Sequence, residues 1–509
     1  MNRLTLRIPV AALLLGAAIA AAPGPVLAGE SREARDDYKR DFSKTLPVKP
    51  GQRLDIDHSQ GKLRITTHSA PELRIQARIE VSTSATGEAK TFGDAIAITV
   101  EESGGAIVVR SKYPEKKWHF VDRGFVSYSV DFDIAMPETM PLAARNKFGD
   151  ISVENLKADG NLSNANGKIV FRNGKGAQRI ENSFGAIDLT GNVGSVDVSG
   201  ANGNVSVADV QGAAQIRNRF GKVTASRIQG KLTISGSNGA AIVNDARGPV
   251  SVTNSFGSVE ARNLGGPLEV ENANGAVNAD TVKGSATVRS SFGSVVLSAI
   301  GGDATVTCSN GAITVSGIEG AADLRGSFAR VSASKVKKGV KVVAQNAPVS
   351  ATDIDGATYL KSSFGAAEAE RIGGDLTVEN SNGAVKGSGI KGGASVRTSF
   401  GSVWLSDVGG KIDVDNSNGS IEVQTAPSPA ACAPISLETS FGGIVVRLPE
   451  SAGYTVDART SFGRIKSELP LTIAGSTSSE LLSGRIGNGQ CPLTLANSNG
   501  GIELLKSPK

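Results

Sequence analysis

The chain has 509 residues, 62 of them Gly, with 5% aromatic residues and only three each of Cys, Met and His. Such a composition, rich in Val, Ile, Ser, Asn and Thr, suits short strands and tight corners and argues against a helical bundle. The formal charge of +5, or +3 without Arg3 and Arg7, is too small over this length to be a nucleic-acid footprint.

Residues 1–28 have the form of a secretory signal peptide: basic Arg3 and Arg7, an apolar run from Ile8 to Ala22, and Val26-Leu27-Ala28 before Gly29. The run is short for a membrane anchor, no Cys follows the cut, and no later segment is long and apolar enough to span a bilayer. A soluble, exported product is expected. Residues 29–45, charged from Arg32 to Lys44, read as a flexible segment.

Residues 46–144 read as an N-terminal β cap with irregular strands. Leu54-Asp55-Ile56 and Leu63-Arg64-Ile65 flank Gln60-Gly61 as a first, degenerate coil. Leu73 to Val81, Ala95 to Val100, Ala106 to Arg110 and Val126 to Ile134 are further strand candidates. Trp118, His119 and Phe120, within the densest aromatic and basic cluster of the chain, form either a partner-contact loop or a hairpin packed over the end of the fold.

Residues 145–424 are periodic. Eight Phe fall 36 positions apart, from Phe148 to Phe400, and eight Asn lie midway, from Asn166 to Asn418. Gly follows fourteen of these sixteen residues; the exceptions are Ala329 and Ala347. The unit is therefore 18 residues long, with Phe-Gly and Asn-Gly corners alternating. Four positions before each corner and three after it the residue is apolar, and within a unit apolar residues alternate, as in Leu268-Val270 and Val277-Ala279. A period of two inside a period of 18 predicts an all-β, single-chain β-solenoid of about 16 coils, roughly 75 Å long at one strand spacing per coil.

Two positions before the corners stand Asn146, Asn164, Asn182 and other Asn or small residues, a column expected to bond amide to amide. Lys361, Glu379, Arg397 and Asp415, in four successive coils, predict an outward ladder of ion pairs. Trp404, between inward Val403 and Leu405, points outward as a second possible partner contact. Around the two exceptional corners lie Arg325, Arg330, Lys335, Lys337, Lys338 and Lys341, either a bend carrying a basic patch or a solvated charge run.

Residues 425–509 open with a Pro/Ala loop and continue as irregular coils around Phe441, Phe462 and Asn499, ending in a C-terminal cap. Cys432 and Cys491 both lie there and are candidates for a disulfide; Cys308 reads as a buried thiol.

These corners resemble those of a bacterial putative-adhesin family, exported β-solenoid proteins of unknown function. The family pattern also includes a hydrophobic-x-hydrophobic-Pro element, a closing Gly-Asn-Gly and a final Asn-Gly coil. Here these are Asp133 to Pro137, Gly487-Asn488-Gly489, and Leu493 to Ile502. The likeness spans most of residues 46–505, and strict Phe/Asn alternation departs from the commoner all-Asn corners. The resemblance implies the fold and little chemistry.

The functional expectation is an exported, non-enzymatic structural or adhesin-like binding protein in the periplasm or on the cell surface, with an unknown protein or glycan partner. The alternative is a periplasmic envelope scaffold or stress-associated protein acting through protein contacts. A polysaccharide-active β-helix enzyme would need clustered carboxylates or His on one face. The three His, His58, His68 and His119, all lie outside the regular coils, and no nucleophile elbow, phosphate loop, metal-ligand spacing or calcium-binding repeat appears. No catalytic, cofactor or metal residue is assigned.

Overall fold

A computed structural model describes residues 35–84, 87–114, 126–425, 432–474 and 478–507. Each 18-residue unit contributes two strands to two facing parallel sheets. Gln178–Phe184, Val196–Asn202 and Ala214–Phe220 are successive strands of one sheet; Ile187–Val193, Val205–Val210 and Val223–Ile228 are successive strands of the other. Register advances by one unit per coil, as in Ile180↔Val198↔Ile216 and Ile187↔Val205↔Val223. Alternation drives this arrangement: inward Val, Ile, Leu and Ala from both sheets are almost fully buried in one core running from Leu54 to Leu504. One coil cannot hide its apolar face, so the stack is the folding unit.

The two corners of a coil use different backbone solutions. At most Phe/Asn corners the following Gly has positive φ, 131° at Gly275, and a Cβ there would lie 2.2 Å from the Gly257 carbonyl oxygen. Gly is required by that close approach as well as by φ. Where Ala replaces it, the corner is rebuilt. The strands Ala322–Gly326 and Val340–Ala344 stop early, the Asn346 N–H donates to the Ser327 carbonyl, and the N–H groups of Ser363 and Phe364 both donate to Gln345. The opposite sheet continues unbroken through Val331↔Val349. At the other corner, seven positions after each Phe or Asn, the left-handed conformation recurs with φ of 53–60° at twelve residues, among them Asn155, Asp209, Thr281, Ala299 and Asp407. Mixed composition hides this column in the sequence.

The Asn column differs from expectation. Its amides do not bond to one another. Asn164 Nδ2 donates to the Gly149 carbonyl (2.9 Å), Asn182 to Gly167 (2.8 Å) and Asn380 to Gly365 (3.1 Å). The corner carbonyl of the preceding coil is the closer and stronger acceptor, so the column ties each corner to the one before it. Ser362, Cys308 and Thr439 point to the same class of carbonyl where Asn is absent.

At the N-terminal end, the first strands are β1 (Asp36–Pro47), β2 (Arg53–Asp57), β3 (Leu63–His68) and β4 (Glu72–Thr83). Helix α1 (Glu88–Ala95), β5 (Ala97–Ser103), β6 (Ala106–Lys112), β7 (Val126–Pro137), β8 (Leu142–Phe148) and β9 (Ile151–Glu154) follow. Residues 29–45 were expected to be flexible, but Asp36–Pro47 is a strand, antiparallel to β4. Tyr38, Phe42 and Leu46 alternate with exposed charge and pack against the core, an edge-strand pattern that a reading of charge alone misses. Helix α1 was not anticipated; Ala89 and Phe92 bury its inner face.

Both ends of the stack are threaded out of sequence order. The degenerate coil β2–β3 lies between the coil β6–β7 and the coil β8–β9, paired in parallel to each. At the far end the last coil, Cys491–Asn499 with Ile502–Lys506, lies between two coils that precede it in sequence. Antiparallel strands then cover the open edges: β4 and β1 beyond β7, β5 beyond β6, and Leu481–Ile486 beside Tyr454–Phe462. Cys432 and Cys491 are bonded, with Cα atoms 5.9 Å apart, which fastens the intercalated coil to the segment before Ile435; Cys308 is free and buried.

Candidate functional surface

The corner residues form the most distinctive surface. Ten Phe, eight in the regular coils plus Phe441 and Phe462, remain 46–76% exposed along one edge. Among the described residues, ring–ring contacts occur only in the N-terminal cap, so no ring of this row rests on another. Two coils separate neighbouring rings, about 9.5 Å at the ordinary strand spacing. The amides between them are held down: Asn166 Nδ2 donates to the Lys147 carbonyl (3.2 Å), Asn202 to Ser183 (3.3 Å) and Asn310 to Ser291 (3.4 Å). The result is a comb of raised rings alternating with amides that are half-buried, except for the exposed Asn310 and Asn346.

Alternation survives the out-of-order threading. Asn499 pairs with Phe441 on one side and with Phe462 on the other. At the opposite end Gln60 bridges to Phe148. In space the edge therefore reads Gln60, Phe148, Asn166 and onward to Asn418, Phe441, Asn499, Phe462, interrupted only at the rebuilt corners of Phe328 and Asn346, where the ladder pairing stops at Gly326 and Ala344. A tandem 36-residue repeat accounts for the middle of that series but not for Asn499, which arrives from the last coil.

The two broad faces are polar. Lys361 donates to Glu379 at 2.8 Å and holds that carboxyl below its usual range. Glu379, Arg397 and Asp415 follow in register, so the predicted ladder has its alignment and one close contact. Trp404 lies on the opposite face at 38% exposure, flanked in register by Lys386 and Glu422, and Val403 and Leu405 beside it are buried. The comb and Trp404 are thus on different surfaces. Trp118, His119 and Phe120 lie outside the described residues, as does the signal-like segment 1–28.

The basic residues around Phe328 do not form one patch. Arg325 pairs with Asp323 on one sheet at 3.1 Å and Lys337 with Asp355 at 3.5 Å, while Arg330 stands beside the comb. A shallow depression near β1, β3 and β7 is lined by opposed charges that pair with each other, Arg78 with Asp41 and Arg64 with Asp133. His58 is buried: its Nδ1 lies 2.8 Å from Ser111 Oγ and its ring meets Phe132 edge-on. Burial lowers its pKa to about 4, against weaker upward pulls from Asp131, the Val130 and Gln60 backbone, and Asp57. Among the described residues no group of three or more His, Cys, Asp or Glu is placed to hold a metal, and no helix is long and apolar enough to cross a membrane.

Residues 302–505 match the family model described as Toastrack DUF4097. A putative cell adhesion protein of Clostridium sporogenes is 7% identical, with 92% of this chain and 100% of that chain covered and a TM-score of 0.14. A putative adhesin of Bacteroides fragilis is 13% identical, with 67% of this chain and 97% of that chain covered and a TM-score of 0.15. No curated protein matches the sequence. Over residues 302–505, about two fifths of the chain, the resemblance read from the corners rests on this family match.

Proposed function

We propose that this is an exported, non-enzymatic, adhesin-like rod whose broad faces present ordered polar columns to a partner at the cell envelope. The observation that carries the reading is constant register: Ser206, Thr224, Glu260, Lys386 and Trp404 occupy one outward position of the coil, a column shared with Ile242 and Val296. A surface repeated at each strand spacing suits multivalent contact with an extended partner, where many weak contacts add. His58 faces a Ser and a Phe ring, no carboxylate among the described residues is bonded to His68, and many charged side chains of the faces are in pairs, which favours binding over catalysis.

Protease shaving tests the location. Peptides from the coils recovered by mass spectrometry from intact cells support the surface reading. Recovery only after lysis would replace it with the periplasmic scaffold.

A further inference from the structure

We propose that the Phe comb is a self-association edge on which a second copy of this chain docks antiparallel, each ring seated over an amide of the partner. Area is the first argument. Ten rings, each about half exposed, present roughly 1,000 Å² of apolar surface, given some 150–250 Å² for a whole aromatic side chain. Single exposed apolar side chains are ordinary on a protein surface, but ten in register along one edge, with amides between them, are not a scattered set. Covered by an identical row, the edge would contribute about 2,000 Å², enough for a stable dimer.

Complementarity is the second argument, and it selects the occupant. A row of rings every two coils, with amides midway, has gaps of the same period as its teeth. The series runs from an amide, Gln60, to a ring, Phe462, and therefore contains an even number of rungs. Two full-length copies laid antiparallel place Phe462 over the partner's Gln60 and Phe148 over the partner's Asn499, with ring over amide at each regular rung between and the rebuilt corners of Phe328 and Asn346 facing the partner's Asn274 and Phe256. Parallel copies in full overlap would meet ring on ring. The antiparallel arrangement is also two-fold and closed, so it ends at a dimer instead of growing a fibre.

The flanks are the third. Positions immediately before and two after the corners are Ser, Ala, Gln or Pro from Ser237 to Ser420, with Arg330 the one charge; nearer the ends Lys147, Asp150, Lys168, Arg219 and Lys222 would face uncharged positions of the partner, and only Lys62 and Arg464, at the outermost rung, would face like charge. Two identical edges can approach along that central stretch without like-charge repulsion, and such depletion of charge is what the core of an interface requires. Both broad faces stay free for other contacts.

Sedimentation velocity on the purified protein across micromolar concentrations tests the proposal. A dimer is expected, weakened at least tenfold by Phe292→Ser with Phe328→Ser, with the melting curve retained. Coil deletions test the register independently of ring chemistry. Removing Phe256 to Ala273, one coil, sets Phe292 against the partner's Phe328 and should weaken the dimer at least tenfold. Removing Phe256 to Ser291, two coils, restores ring over amide and should restore dimerisation. Ser309→Cys, beside the two-fold axis, should cross-link to itself, whereas Ser183→Cys should not. A monomer at all concentrations overturns the proposal, whether or not the comb binds glycan or lipid instead. Equal affinity for the one-coil and two-coil deletions would leave self-association standing but refute the ring-over-amide register, and with it this interface.

Discussion

Single residues decide whether a corner can form. Thr281 and Ala299 hold φ of 58° and 54° in a column where Gly191, Gly317 and Gly389 also stand. A side chain in the left-handed region costs roughly 1–2 kcal/mol, of which Gly returns some 0.5–1 through its freer unfolded chain. Thr281→Gly should therefore raise stability by about 0.5 kcal/mol, and Gly317→Val should lower it by about 1 kcal/mol or more; urea melts of the pair check the sign. The Gly after Phe or Asn behaves differently, because its neighbour is a carbonyl oxygen as well as a torsion. Gly275→Ala should cost several kcal/mol, since the 2.2 Å approach to Gly257 cannot be relieved without moving a strand.

His58 adds a pH dependence at the same scale. Its folded pKa, about 4, lies below the unfolded value of 6.5, so the unfolded chain binds the extra proton between these values. Stability of the N-terminal coils should fall as pH drops from about 6.5 to 4 and then level off with respect to this group. The whole effect is on the order of 3 kcal/mol. His58→Gln, which keeps a partner for Ser111, should flatten that decline in hydrogen exchange of β3 and β7; an unchanged slope would assign the acid sensitivity to carboxylates elsewhere.

Among elements, the coil is the unit of tolerance. Val270 is fully buried between Val252 and Val288. Val270→Asp should cost more than about 4 kcal/mol and loosen neighbouring coils, because an unpaired charge would enter a dry core. Removing the whole coil from Phe256 to Ala273 should instead leave a folded rod, since the Asn274 corner can take the place of the Phe256 corner beside Asn238; limited proteolysis separates the two outcomes. This contrast also marks what the sequence could disclose. The 18-residue period, the inward columns and the outward Trp404 follow from spacing. The left-handed column does not, because Asn, Asp, Arg, Thr and Ala share it with no common side chain. The Asn column was visible as residues but not as bonding, since amide-to-amide and amide-to-carbonyl contacts leave the same spacing. The comb itself was legible as alternating Phe and Asn, yet spacing alone says nothing of which residues stay exposed.

For the whole molecule, the ends carry what the middle cannot predict. Periodicity fails at Thr425 and before Leu142, and intercalation of β2–β3 and of Cys491–Lys506 depends on pairing choices that have no local sequence signal. The Cys432–Cys491 bond fastens the second of these coils across a separation of 59 residues. Cys491→Ser should lower the stability of the C-terminal coils by about 2–4 kcal/mol, visible as earlier proteolysis after Gln424 while coils near Phe256 stay protected.

Each 18-residue unit adds one strand spacing to the rod, and small-angle X-ray scattering measures that directly. Deleting Phe256 to Ser291 should shorten the longest dimension by about 10 Å and leave the cross-section unchanged. An unchanged length, or a thickened and shortened particle, would contradict the stacked-coil architecture and everything built on its edge.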